Sequence, residues 1–176
     1  HMGGIRVNGQ METSIDGLYG AGEVVGGANG ANRLSGNAIP EAFVFGERAG
    51  RFAAEYARGR NRVWSDDAAQ VHLDLLNSLV LRQSGVSGDK AALGELWFDL
   101  QKLMWEKVGV LRTGHKLAAA LTRIREMQTA HADMVPADDT EFNMTLQDWY
   151  DLRSALLTAE SVTLAAINRT ESRGAH

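Results

Sequence analysis

Beyond residue 65 the apolar positions recur with the period of an α-helix. Leu93, Leu96, Trp97, Leu100, Leu103 and Met104 are spaced by threes and fours, the pattern of one amphipathic helix. Val71, Leu75 and Leu79, with Leu76 and Val80 beside them, predict a helix before it, and Gly85 and Gly88 mark the break between the two. Gly109 is a candidate C-cap or a short interruption. Leu117, Leu121, Ile124 and Met127 or Gln128 predict a third helix, ended by Pro136 and Asp138-Asp139. A fourth is predicted from about Thr145 to Thr170, with Leu146, Trp149, Leu152, Leu156, Ala159 and Thr163 or Val162 on its inner side. Three long helices and a shorter one, joined by short loops, pack most simply as an antiparallel bundle. The Leu/Trp/Met stripes read as core, with Trp97 and Trp105 as packing anchors.

The front of the chain has a different grammar. Ten glycines precede residue 40, and Tyr19 is the one aromatic there. Gly4–Val7 reads as a short strand, Thr13–Gly17 as a polar turn, and Leu18–Glu23 as a buried strand ending in glycines and one acid. A loop dense in Gly and Asn follows, Gly26–Pro40; within it Asn37 is a candidate N-cap, with Pro40 in the first turn of a helix that continues through Ala54. The predicted organisation is a strand-and-loop front over residues 1–60 and a helical domain over 66–176, joined by Tyr56–Asp67, where Ser65-Asp66-Asp67 offers N-caps. The fold class is mostly α.

Composition narrows the partners. Eighteen basic and 22 acidic residues form no basic stripe, which argues against nucleic acid. No apolar run reaches the roughly 18 residues that span a bilayer, and the first residues form no signal-peptide core. With no cysteine, this chain cannot form disulfides or ligate iron–sulfur clusters through thiolates, and a reducing, cytoplasmic setting fits. His72, His115 and His131 lie one per helix without a partner at ligand spacing, so no metal site is expected.

Candidate chemistry lies in the front. Small residues at Gly20, Ala21 and Gly22 let a ligand approach the backbone, and Glu23 beside them can accept hydrogen bonds from sugar hydroxyls. A glycine-rich turn with a solvated carboxylate is the plain alternative. The third glycine of a GxGxxG loop is replaced by Val25, so this is no Rossmann pyrophosphate loop. Ordering the Gly/Asn-dense loop costs about 1–2 kcal/mol per residue in backbone entropy, which implies that its backbone must approach something. It ends where the next helix presents free N–H groups and a positive dipole end. Arg33 adds a planar fork suited to a carboxylate, with pairing to a surface acid as the alternative.

Thr13 through Glu23, the run Gly30-Ala31-Asn32-Arg33-Leu34-Ser35-Gly36-Asn37, Phe45-Gly46-Glu47-Arg48-Ala49-Gly50, Met104–Arg112 and the closing Glu171-Ser172-Arg173-Gly174-Ala175-His176 together resemble the succinate dehydrogenase/fumarate reductase flavoprotein family, in family order over nearly the whole chain. The resemblance implies that Glu23 contacts FAD hydroxyls and that backbone at Ala38 and Ile39 meets the flavin pyrimidine edge. It implies that Arg33, with backbone near Gly36, holds the carboxylate of succinate or fumarate. Hydride would pass between FAD and this C4 dicarboxylate in the parent protein.

The family's pyrophosphate loop, capping domain and proton-donating Arg have no counterpart here, and His1 does not match the family's substrate His. The chain therefore reads as a C-terminal piece, the end of the FAD-binding domain plus the helical domain, inactive and without retained flavin by itself; no catalytic residue is assigned within it. An L-aspartate oxidase-type flavoprotein is the competing family member, and a non-catalytic helical docking module the competing class. An iron–sulfur subunit is the implied partner of the parent, which the resemblance places in the cytoplasm or peripherally on the inner membrane face. Self-association of the shortened front is a further expectation.

Overall fold

The computed structural model describes residues 4–31, 36–61, 65–83, 90–136, 142–174 and 176. The expected breaks at Gly85, Gly88 and Asp138-Asp139, and the candidate substrate residue Arg33, lie outside these residues. Five α-helices are present among the described residues: α1 (Ala38–Arg58), α2 (Asp66–Gln83), α3 (Lys90–Lys107), α4 (Gly114–Asp133) and α5 (Met144–Asn168). The contacts divide the chain into two units, His1–Trp64 with Ser172–Ala175, and Ser65–Glu171 with His176.

In the second unit α3, α4 and α5 pack pairwise. The predicted stripe of α3 is buried at Leu93, Leu96, Leu100 and Leu103, with Trp97 and Met104 packed beside it. It meets Leu117, Ala120, Ile124 and Met127 of α4 and Trp149, Leu152, Leu156 and Ala159 of α5. From α2, Leu79 enters this core and Leu75 packs against it. Two expectations fail. Val71 is 68% exposed and Trp105 is 84% exposed. At about 100° per residue, eight positions carry Trp105 about 80° around from Trp97, off the buried stripe. Gly109 lies in the interruption between α3 and α4 and is not left-handed as a glycine C-cap would be; a Cβ there would stand 2.5 Å from the Trp105 carbonyl oxygen.

Caps delimit these helices. The Thr113 side chain accepts from the Lys116 N–H at 3.3 Å, and Asn143 from the Leu146 N–H at 2.9 Å, each the N-cap bond its residue type favours. The buried Thr163 hydroxyl donates to the Ala159 carbonyl at 2.7 Å, so no polar atom of it is stranded in the core.

The end of α4 is fastened to α5 through aromatic and polar contacts. His131 stacks on Trp149 with ring centroids 4.3 Å apart. Its Nε2 lies 3.0 Å from the Trp149 carbonyl oxygen, which can only accept, so Nε2 carries the proton. The Trp149 indole donates in turn to the Met134 carbonyl at 3.2 Å. Burial pushes the His131 imidazole below its ordinary value, and the Arg153 charge adds to this, against the opposing effect of the bond to Trp149.

In the first unit the two expected strands are reduced to isolated bridges. Ile5 pairs with Val25 in parallel and Glu12 with Tyr19 antiparallel; no extended strand forms among the described residues, and Leu18 is 47% exposed rather than buried. An isolated two-stranded pairing is marginal in water. Met11 is buried in a left-handed conformation at φ 66°, held where the Asn8 side chain accepts from the Gln10 and Glu12 N–H groups at 2.9 and 3.0 Å. The helix α1 runs four residues beyond its predicted end, to Arg58.

Replacing Ile124, fully buried between α3 and α5, by Ala should cost about 2–5 kcal/mol of unfolding free energy by urea titration. Because the fold favours neutral His131, the unfolded chain takes up the proton first. Stability is therefore full above the unfolded value of about 6.5 and falls as pH drops from there toward the lowered folded value. Urea midpoints across this window should lose that slope in His131→Gln.

Candidate functional site

The start of α1 and the turns packed on it form the place where the sequence-predicted site residues can be followed together. Asn37 stands at the N-cap position but in helical conformation (φ −67°, ψ −21°), and its side chain makes no cap bond. The expected side-chain cap is thus missing, and the N–H groups of Ala38 and Ile39 at the positive end of a 21-residue helix are left without it. Pro40, next in line, has no N–H to satisfy. Glu41 is the acid of this first turn. Its carboxylate does not fold back onto the helix start; it accepts from the Asn29 side-chain amide at 2.9 Å, a half-buried bond to the glycine-rich loop.

Glu23 lies in a 3₁₀ turn, Gly22–Val24, rather than at a strand end. That turn packs against α1. A Cβ on Gly22 would come within 4.0 Å of Ala42, one helical turn after Ala38, and Gly22 itself is left-handed at φ 77°. The turn is pinned from behind. Ile5 donates its N–H to the Val24 carbonyl at 2.8 Å, and Gly26 donates to the Ile5 carbonyl at 3.1 Å. The two backbones come so close at Gly4 that a Cβ would collide with the Val24 carbonyl.

Of the five predicted site residues, the structure brings the Glu23 turn beside the helix carrying Ala38 and Ile39. Gly36, left-handed at φ 96° and exposed, leads into that helix. The side chain of Glu23 is exposed and Ile39 is 67% exposed, so this face lies open. Arg33 lies outside the described residues. Within the loop, Gly27 and Gly30 are also left-handed, at φ 102° and 59°.

Sequence reading missed two features. Asn29 bridging to Glu41 was signalled only by an Asn in a loop and an acid twelve residues on. At the far end of α1, the Tyr56 hydroxyl donates to Asp16 at 2.6 Å and Arg60 donates to the same carboxylate at 2.9 Å while its guanidinium lies 3.9 Å from the Tyr56 ring centroid. Tyr19 packs edge-on to Tyr56, and burial, with the nearby Glu12 and Asp16 charges, raises its phenol above the ordinary value. This cluster ties the turn before Tyr19 to the end of α1. It was not foreseen because its members are about forty residues apart in sequence.

The donor set suits the oxidised and reduced ring of a flavin. Uncapped helix N–H groups can serve carbonyl oxygens and a ring that gains negative charge, and an exposed carboxylate beside glycines can accept from polyol hydroxyls. Among the described residues no group of three His, Cys, Asp or Glu could hold a metal ion, and no helix is long and apolar enough to cross a membrane.

Comparison with known proteins finds relatives over nearly the whole chain. The family model described as fumarate reductase flavoprotein C-term matches residues 98–176, and that of an FAD binding domain matches residues 1–39. An uncharacterized FAD-dependent oxidoreductase of Methanocaldococcus jannaschii is 37% identical over 99% of this chain and 31% of its own length. The fumarate reductase flavoprotein subunit of Mycobacterium tuberculosis is 33% identical, with the same coverage of both chains. L-aspartate oxidases are also among the matches. The solved Mycobacterium smegmatis Sdh1 complex in the apo form superposes with a TM-score of 0.81 at 32% identity, over 98% of this chain and 29% of that one. The chain thus spans about a third of the length of the curated relatives it matches.

Gly22→Ala would force a Cβ into the left-handed region and should cost about 1–2 kcal/mol. The loss should appear as a lower urea midpoint for the first unit, with the α3–α5 transition unchanged.

Proposed function

Because the chain belongs to the succinate dehydrogenase/fumarate reductase flavoprotein family, we propose that it is the C-terminal part of an FAD-dependent oxidoreductase acting on a C4 dicarboxylate, succinate or fumarate. On this reading residues 1–60 are the end of the FAD-binding domain and 66–176 the C-terminal helical domain. The observation that carries it is the uncapped start of α1 set beside the Glu23 turn, in a chain whose two halves match the two family models in order.

Ala38 and Ile39 offer their backbone N–H groups to the flavin pyrimidine edge, where the helix dipole favours developing negative charge. Glu23 accepts from cofactor hydroxyls. Arg33, with backbone at Gly36, clamps a substrate carboxylate and fixes the orientation of the carbon that exchanges hydride. When bound, FAD supplies the hydride-accepting and hydride-donating centre. The catalytic acid and the pyrophosphate-binding segment belong to parts of the parent outside this sequence, so none is assigned within it. In this reading the parent works with an iron–sulfur subunit, in the cytoplasm or at the membrane face. The apolar side chains exposed on α1, Ile39, Phe43 and Val44, are covered in the whole protein or by self-association of the shortened chain.

The full-length flavoprotein should reduce fumarate with a reduced dye or oxidise succinate, with one flavin per chain. Arg33→Lys retains the charge but loses the two-pronged fork, and should lower kcat/KM about 100-fold. The 176-residue chain alone should show neither turnover nor stoichiometric flavin after gel filtration. An L-aspartate oxidase-type activity is the second reading, favoured by the matches to those enzymes. L-aspartate-dependent hydrogen peroxide formation without succinate or fumarate turnover would select it.

A further inference from the structure

The helix that starts the site carries an acid that ought to compete with any anionic or electron-rich ligand. A carboxylate in the first turn of an uncapped helix is drawn to the free N–H groups and the positive dipole end. Glu41 is such a carboxylate, and it is turned away: its Oε2 accepts from Asn29 Nδ2 at 2.9 Å across a half-buried contact. Asn29 sits between two left-handed glycines, Gly27 and Gly30. The same loop is backed at its far end by Gly174, whose Cβ position would lie 3.6 Å from Ala31. A loop of this composition has a large conformational entropy, and this side-chain bond links it to α1.

We propose that Asn29 and Glu41 are a pair of positioning residues: Asn29 holds the Glu41 carboxylate off the N–H groups of Ala38 and Ile39 and, by the same bond, fixes the loop 26–31 against the helix start. The inference rests on the function proposed above, in which those N–H groups face the cofactor. Two consequences separate the bond from mere structure. Glu41→Gln keeps an acceptor oxygen for Asn29 while removing the charge, so loop order should persist. Glu41→Ala and Asn29→Ala both remove the bond, but only Asn29→Ala leaves a freed carboxylate beside the helix start.

The test uses the full-length flavoprotein, with succinate or fumarate steady-state kinetics and hydrogen exchange of the loop amides. Asn29→Ala and Glu41→Ala should each speed exchange over residues 26–31 about three- to tenfold, the factor one net intramolecular hydrogen bond is worth. The double variant should be no faster than either single one. Glu41→Gln should match the wild type. Asn29→Ala should raise KM and lower flavin retention more than Glu41→Ala does, with kcat changed less than KM. Unchanged exchange in both single variants, additive effects in the double variant, or equal KM in Asn29→Ala and Glu41→Ala would each overturn the proposal. If the wild type turns over neither dicarboxylate, the functional reading fails, and the exchange cycle alone still decides whether the pair orders the loop.

Discussion

The front unit depends on one close approach of two backbones. Gly4 and Ile5 lie against Val24–Gly26 so tightly that only hydrogen fits at the Gly4 α-carbon. Two backbone hydrogen bonds exchanged with Ile5 hold the contact. From it follows the position of the Gly22–Val24 turn, from the turn the seat of α1, and from that seat the direction in which the uncapped N–H groups of Ala38 and Ile39 point. Any side chain at residue 4 would push the turn away from the helix, and the candidate site would lose the side that bears Glu23.

The two units use different physics. The helical unit is held by apolar area: three helices each bury one stripe, and the interior polar groups of Thr163, His131 and the Trp149 indole each find a carbonyl partner within the fold. In the front unit α1 buries no residue fully, and order comes from turns, left-handed glycines and side-chain bridges such as Asn29–Glu41 and Tyr56–Asp16–Arg60. Regions held by few buried apolar contacts open more easily than packed cores, which suits the ligand-admitting role proposed for this segment.

The length relation gives this contrast its meaning. Each match takes in nearly all of this chain but about a third of the relative. The exposed face of α1 and an N-cap side chain, Asn37, that makes no cap bond are liabilities for a unit standing alone. They are assets for one that presents backbone donors to a cofactor. The proposed oxidoreductase function accounts for both with the same residues.

The sequence by itself determined the helices, their inward faces and the family, because apolar periodicity and runs such as Gly-Ala-Asn-Arg-Leu and Glu-Ser-Arg-Gly-Ala-His are local signals. It also singled out Glu23, Gly36, Ala38 and Ile39 as candidate site residues. It misjudged Leu18 and Val71, because burial depends on which neighbour covers a residue, and an apolar side chain does not say whether one does. The tertiary structure alone decided that the strand-like front segments make single bridges, that Asn37 occupies the cap position without capping, and that Glu41 is held by Asn29. Each of these is settled by which partner reaches a hydrogen-bonding group first, a competition between residues distant in sequence that no local pattern encodes.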